Sequence, residues 1–553
     1  MSLIKSRHVI IVIMAVVSAF TALAAPPPDK GGGNGGGGNG GGNGGGGNGG
    51  GGGGGGGFVM DRAEAMRFLY RASWGPTEAA IEHIRTIGAQ EWVAEQLTLN
   101  LSLLPQPPDS AISRALRPAQ SAFFSNAVHS SDQLRQRMAF FLHQIWVVSG
   151  SGGDSIQRMV PYMRLLHDQA FGNYRDLMRA MTLNPAMGDF LDMVNNRSAS
   201  SNGGRSPNEN YARELLQLFT VGPVILNIDG SPKTDRNGHT APTYTEDNVI
   251  DLARALTGWT YPATPGEAES NCQNPRYYAG AMTVRCAGRH DSEAKVLMNN
   301  FLIPAGLTAE QELEVALDHI FQHPNMGPFL ATRMIHHFVT SHPSSSYVKR
   351  VAKSFNDNGF GVRGDLAAML RATLMDREAD SADVMHGRLR EPVHYAAALL
   401  RAFNATVAWG DNRLDLRARE MGQDPYEPPD VFNYFHLAHG TFHGGEMSMA
   451  DGPEFAIHTL TSALARADFV YRLSRDSLGT GTSMDLAELA DLAGAGDREG
   501  LLNELSRRLI PSGTLDPEDI GLAMEAMNGT NSSSEILQYA IQLVTTPRFQ
   551  VQP

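Results

Sequence analysis

Residues 132–149 read DQLRQRMAFFLHQIWVVS, and their pattern decides the class of the fold. Apolar side chains fall on nearly every side of a helical projection, from Leu134 and Met138 round to Phe140, Phe141, Leu142, Ile145 and Trp146. A helix that is apolar all round has to be enclosed by other elements. The spacing therefore predicts a central helix wrapped by further helices. Arg137, His143 and Gln144 are carried into that interior. A buried guanidinium without a carboxylate is costly, so Arg137 calls for a partner, with Glu209 or Glu214 as the candidates. His143 has no second ligand at helical spacing and reads as a core histidine satisfied by a neighbour.

Working outward, a helical period recurs at 61–72 and 77–97, with WGPT at 74–77 between them and Thr77–Glu78 suited to a helix start. It returns at 246–257, 309–322, 326–341, 345–355, 364–376, 391–404, 455–474, 485–491, 498–509, 516–526 and 534–545. The stretch VILNIDGSPKTDRNGHTAPTYT, residues 224–245, sets β-branched residues around DG and NG turns and predicts a hairpin. Residues 405–452, rich in Gly, Asp, Pro and His, predict a long loop with short helical pieces, and loops of that length are often functional. The expected class is mainly α, a multi-helix globular domain with a small β-hairpin insertion. About 500 residues follow the N-terminal tract, more than the roughly 250–300 at which a single core stops growing. Two packed helical lobes, 58–262 and 290–553, are the expected arrangement.

The N-terminus reads as a signal peptide over 1–25, with Lys5 and Arg7 before an apolar run and small residues at Ala22 and Ala24. Residues 31–57 are Gly and Asn alone, so 26–57 reads as a disordered tether, either a functional spacer or a tolerated slippage product. No later stretch approaches the roughly 20 apolar residues of a membrane span. A periplasmic or secreted protein without a transmembrane segment after signal removal is expected. In that oxidising setting Cys272 and Cys286, the two cysteines of the chain, are expected to pair. A net charge of −13 argues against nucleic acid as a partner and leaves an extracellular or envelope partner or polymer.

Chemistry concentrates in a few places. In SPNENYARELLQLFTVG, residues 206–222, Ser206 and Glu209 satisfy a capping box with Pro207 at the first helical position, and Gly222 stands where the helix would end. Glu209 and Arg213 form an i,i+4 pair. That account makes the polar face structural. The other account sends Glu209, Asn210, Arg213 and Glu214 into a cleft, where two carboxylates flanking a guanidinium supply an acid, a base and an anion clamp. In 243–260, Thr245 is the expected N-cap, Glu246 and Asp247 lie in the first turn, and Arg254 follows Asp251 by three. RHDSEAK, 289–295, sets His290, Asp291 and Lys295 together. HLAHGTFHGGE supplies His436, His439, His443 and Glu446, either ligands for a divalent metal or an exposed polar loop. HExxH, GxSxG, Walker A, CxxCH and a GxGxxG after a strand are absent from the sequence.

Taken in order, FLYRASWGPTEAAIEHIRTIGAQEWVAEQL, LRQRMAFFLHQIWVVS, NYRDLMRAMTLNPAMGDFLDM, SPNENYARELLQLFTVG, YTEDNVIDLARALTGWT, RHDSEAKVLMNNFLIPAG and LREPVHYAAALLRAF resemble a bacterial family known as domain-of-unknown-function family 1800. The resemblance implies export and supplies no activity. The positions matching its characteristic motifs are Arg137, Asn208, Glu209, Asn210, Arg213, Glu214, Asp247, Arg254, His290, Asp291, Lys295 and His323. The run HLAHGTFHGGEM departs from it, so the histidines are not carried over.

Two functions compete at this point. One is a hydrolytic or eliminative acid–base enzyme acting on an extracellular or envelope substrate. Its catalytic residues would be Glu209, Arg213, Glu214, His290 and Asp291, its substrate-binding residues Arg137, Asn210 and Lys295, and a divalent metal is a variant. The other is a non-catalytic envelope scaffold or binding module in which the same residues form a buried ion network.

Overall fold

The computed structural model describes residues 60–105, 116–151, 155–266, 272–380, 387–435, 441–443, 446–448, 452–545 and 547–552. The expected signal peptide and Gly/Asn tether, with His436 and His439, lie outside the described residues.

The helix at the centre of the sequence argument forms as Gln133–Ile145 and is buried on all sides except at Arg135. It stops a turn earlier than the apolar run, because Trp146 leaves helical backbone and its carbonyl accepts from the Tyr162 hydroxyl (2.6 Å). His143 is a core histidine as expected, partnered at Nδ1 and without a hydrogen-bond partner at Nε2. Its Nδ1 lies 2.7 Å from the same hydroxyl, and burial holds the ring down at about 3, neutral throughout the physiological range.

The enclosing helices begin with Arg62–Ala72, started by an Asp61–Glu64 capping box. The predicted 77–97 helix is two, Glu78–Ile87 and Ala89–Thr98, because Gly88 sits at φ +85 between them. Further helices escape the periodicity reading, among them the short Tyr174–Thr182 and Pro185–Phe190 and two longer ones with physical reasons of their own. Arg117–His129 buries Gln120, Ser121, Ser125 and Asn126 along with its apolar residues and so lacks a polar stripe, while Ser155–Asp168 carries Pro161 in its interior. The rest of the predicted order follows, including Ala309–Phe321, Met326–Phe338, Ser345–Asn356, Pro392–Ala402, Leu460–Leu473, Arg498–Leu509 and Ser533–Val544. One contiguous apolar core runs from Ala65 to Phe549. Among the described residues no helix is long and apolar enough to cross a membrane.

The turn WGPT is where the N-terminal helices meet Pro392–Ala402. Trp74 is fully enclosed, with ring centroids 5.2 Å from Phe123, 5.4 Å from Phe140 and 5.8 Å from His394. Gly75, at φ +131, lies so close that a β-carbon there would stand 2.7 Å from the Ala398 Cα. Arg401 ties the joint by donating to the carbonyls of Gly75 (2.6 Å) and Val128 (2.6 Å).

Among the described residues, strand content is confined to short antiparallel pairs. Val551–Gln552 closes the chain on Arg388–Leu389, and Thr406–Val407 pairs with Thr482–Ser483. The predicted hairpin at 224–245 returns on itself through glycines at φ +82 and +84 in its DG and NG turns. Isolated bridges, Val224–Pro242, Leu226–Pro232 and Thr234–Thr240, replace a ladder. Pro232 and Pro242 have no N–H to continue one. The expected long loop of 405–452 also carries the helix Leu414–Glu420 and a strand pair, Thr441–His443 with Glu446–Ser448.

Cys272 and Cys286 form a disulfide across a separation of 14 residues. Closing a loop of this size stabilises by up to about 3 kcal/mol through the entropy of the unfolded chain. Replacing both cysteines by Ser is expected to lower stability by up to that amount, read by denaturation with and without reductant; an unchanged midpoint would show that the bridge constrains nothing.

Candidate functional site

The stretch 206–222 folds differently from its local signals at one end. The helix begins at Asn210, and neither Ser206 nor Glu209 caps it, so the predicted capping box does not form. Residue 208 is instead clamped by Asn196, whose side chain accepts from the Asn208 amide (2.9 Å) and donates to its carbonyl (2.9 Å). Asn208 Oδ1 then takes the amide of Asn210 (2.9 Å), and the Asn210 side chain donates to Asp192 (3.0 Å). These paired amides hold 208 outside the helix, where a cap at 206 would need it inside.

Glu209 makes the predicted i,i+4 pair with Arg213 (3.0 Å), and the guanidinium continues to Glu246 (2.6 Å), the first residue of the helix Glu246–Ala255. The Glu246 pairing raises the Arg213 pKa further, and Arg213 holds the exposed Glu246 carboxyl below its usual range. After Glu214 the chain widens into a π-helical turn, Leu215–Thr220, ended by Gly222 at φ +73 as predicted. Such turns are frequent at functional sites. Here the turn half-buries Glu214. One carboxylate oxygen has no hydrogen-bond partner, and burial pushes its pKa up against the opposing pull of Arg213.

A second cluster forms at the other end of Glu246–Ala255. Thr245 is the N-cap, as expected, reciprocated by Asn248. Arg254 pairs with Asp251 (2.7 Å) and grips Asp291 through Nε (3.0 Å) and Nη2 (3.1 Å). These bonds hold the Asp291 carboxyl below its usual range against the desolvation that would raise it. The backbone amide of Asp291 donates to Thr257 Oγ1 (2.8 Å). His290 Nδ1 is 3.1 Å from the Thr257 carbonyl, which fixes it as the protonated, donating nitrogen and turns Nε2 toward Glu312, 3.4 Å away. Lys295 is completely enclosed; its ammonium donates to the carbonyls of Asp291 (2.5 Å) and Glu293 (2.8 Å) and lies 2.8 Å from Glu312, itself completely enclosed.

The structure thus gathers His290, Asp291 and Lys295 with Arg254, Asp251 and Glu312. It joins Glu209 and Arg213 to Glu246. Among the described residues no hydrogen bond or ion pair links the two groups. Glu246 and Arg254 are eight residues apart on one helix, about 12 Å along its axis. Asp247 stays exposed, and His323 is buried with its pKa lowered to about 4, Nδ1 accepting the Asn325 amide (3.2 Å).

Arg137 does not meet Glu209 or Glu214. Its guanidinium lies over the rings of Trp74 (5.1 Å) and Phe338 (5.5 Å) and donates to the His337 carbonyl (3.4 Å), and burial pulls its pKa down to about 9. Aromatic faces take the place of the expected carboxylate. The nearby buried carboxylate is Glu391, in LREPVHY, which accepts from Arg388 (2.8 Å), Gln423 (2.6 Å) and Gln144. Glu312 and Glu391 were both missed. A signal for Glu312 exists in its place on the stripe Ala309, Leu313, Ala316, Leu317 and Ile320, where an acid is out of keeping with its neighbours.

The chain matches, over residues 67–551, the model of a family described as "Protein of unknown function (DUF1800)". It belongs to the DUF1800 family. No curated protein and no solved structure matches it. In this DUF1800 protein His443 lies on the strand Thr441–His443. Among the described residues no group of three or more His, Cys, Asp or Glu side chains is placed to hold a metal ion.

Proposed function

We propose that this protein is an exported helical scaffold or binding module of the envelope or extracellular space, in which the RHDSEAK segment is an internal lock. The observation that carries this reading is the Lys295–Glu312 pair, both side chains at 0% exposure. Every donor of that ammonium is consumed by the protein, which suits a brace between the 290–297 segment and the helix Ala309–Phe321 better than proton exchange with a substrate. Export is supported by the charged and apolar N-terminal pattern and by the disulfide. The test is fractionation of producing cells followed by profiling the purified protein on polysaccharide, peptide and ester libraries. The expected result is an oxidised protein outside the cytoplasm without turnover; turnover abolished by Asp291→Asn at an unchanged melting temperature would overturn the reading.

One observation favours acid–base chemistry on an external substrate: the half-buried Glu214, with its raised pKa and unpartnered oxygen, at a π-helical turn. A carboxyl with a raised folded pKa loses stability as pH rises through that value. Glu214→Gln is therefore expected to leave the melting temperature unchanged or higher at neutral pH and above. A catalytic Glu214 loses turnover in that same folded variant; a variant retaining full turnover excludes the role.

A further inference from the structure

The segment MGQDPYEPPDVFNYF, residues 421–435, follows the helix Leu414–Glu420 and is stitched to the body mainly through amides, a hydroxyl and backbone carbonyls. Gln423 bridges Glu391 and the Val393 amide. Gln120 donates to the Pro425 carbonyl (3.0 Å), the Gly150 amide to the Tyr426 carbonyl (2.7 Å), and Ser149 to the Pro428 carbonyl (2.9 Å). Tyr426 is held at φ +64, an unfavourable backbone for an aromatic residue that persists only where its surroundings enforce it.

One further attachment does titrate. Asp424, buried, accepts from Arg419 Nε (2.5 Å) and from Gln120 (2.7 Å), and the same guanidinium reaches Glu427 (3.2 Å). Asp415, one helical turn before Arg419, is also buried, with one carboxylate oxygen unpartnered. Two carboxylates thus contact one guanidinium, with Asp415 a turn away on the same helix. Nearby, Arg417 pairs with Glu420 (2.7 Å), Arg472 of Leu460–Leu473 with Asp468 (2.5 Å) and Glu391 with Arg388 (2.8 Å), and the ring of His143, kept neutral by burial, lies 5.3 Å from the Tyr426 ring. Within the segment the phenol of Tyr434 donates to the Asp424 carbonyl and brings no positive charge. A buried carboxylate beside another carboxylate ionises less readily than one alone with a guanidinium.

We infer that Asp424, buried in this carboxylate-rich cluster over Arg419, carries a proton that makes residues 421–435 a pH-sensitive strap, seated when it is bound and loosened when it leaves. Burial, with the neighbouring Glu427 reinforcing it and Arg419 opposing it, pushes the Asp424 carboxyl up to about 7. A folded value above the unfolded one of about 3.9 stabilises fully below that unfolded value, and the stabilisation is lost as pH rises through about 7. The strap is therefore tight in mildly acidic surroundings and weakened in alkaline ones. Asparagine at 424 mimics the protonated acid and removes the titration.

The test measures melting temperature and hydrogen exchange of the full chain at about pH 5.5 and about pH 8.5, exchange being corrected for its intrinsic pH dependence. In the wild type, protection of 421–435 is expected to fall about tenfold more than that of the Gln133–Ile145 helix on going to the higher pH. The melting temperature should fall further than in Asp424→Asn, in which protection of 421–435 stays level. Glu427→Gln, which removes the second carboxylate on Arg419, should likewise flatten the response between the two pH values. Equal pH responses in the wild type and both variants would overturn the inference, as would protection of 421–435 that does not change with pH in the wild type.

Discussion

Lys295→Met is expected to cost about 3–5 kcal/mol, the usual consequence of removing one partner from a fully buried ion pair. The methionine fills much the same volume, so the loss is electrostatic. Glu312, with no exposed side-chain area, is left without its ammonium, and the carbonyls of Asp291 and Glu293 lose their donor. Surface pairs are worth far less, in the range of about 0–1 kcal/mol. Arg213→Met, which breaks the exposed pairing with Glu246, therefore provides the contrast in the same protein. Denaturant titration of the two variants separates the lock from the surface. A Lys295→Met protein as stable as Arg213→Met would remove the basis for calling the 290–297 segment a brace.

The second large effect is expected at Gly75→Ala, at about 4 kcal/mol, from two additive causes. The backbone at φ +131 belongs to glycine, and forcing another residue into such a region costs about 1–3 kcal/mol. The new methyl also meets the Ala398 Cα at 2.7 Å, backbone against backbone, and overpacking of this kind costs about 1–3 kcal/mol. Moving the turn to relieve the clash would pull the Gly75 carbonyl from Arg401 and unseat Trp74 from Phe123 and Phe140. Denaturation midpoints at constant slope test this; a loss below about 1 kcal/mol would show that the turn adjusts freely.

What the chain reveals about itself follows the range of the interactions involved. The central helix was legible because its all-round apolar pattern is a local property, and so were the Thr245 cap, the Glu209–Arg213 pair and the Asp251–Arg254 pair, each closed within a single turn. The Ser206 capping box fails because a cap is worth only about 1 kcal/mol, and it loses to two amide bonds from Asn196, twelve residues away. Glu312 shows in the sequence only as an acid on an apolar stripe, since its partner Lys295 lies 17 residues off, and Glu391 shows only its local partner Arg388, while Gln144, which draws it into the interior, lies 247 residues off. Arg137 was placed in the interior correctly and given the wrong partner. Charge pairing suggested a carboxylate, whereas packing supplied Trp74 and Phe338.

The central claim, that the RHDSEAK cluster is a lock, is tested most directly by the double variant Lys295→Met/Glu312→Leu in a thermodynamic cycle with its two single variants. A buried ion pair replaced on both sides by apolar groups is often nearly neutral in stability, whereas each single replacement is costly. The account predicts single losses of about 3–5 kcal/mol, a double variant within about 1–2 kcal/mol of the wild type, and hence a coupling of at least about 4 kcal/mol. Two single variants that each keep wild-type stability, with no coupling between them, would contradict it.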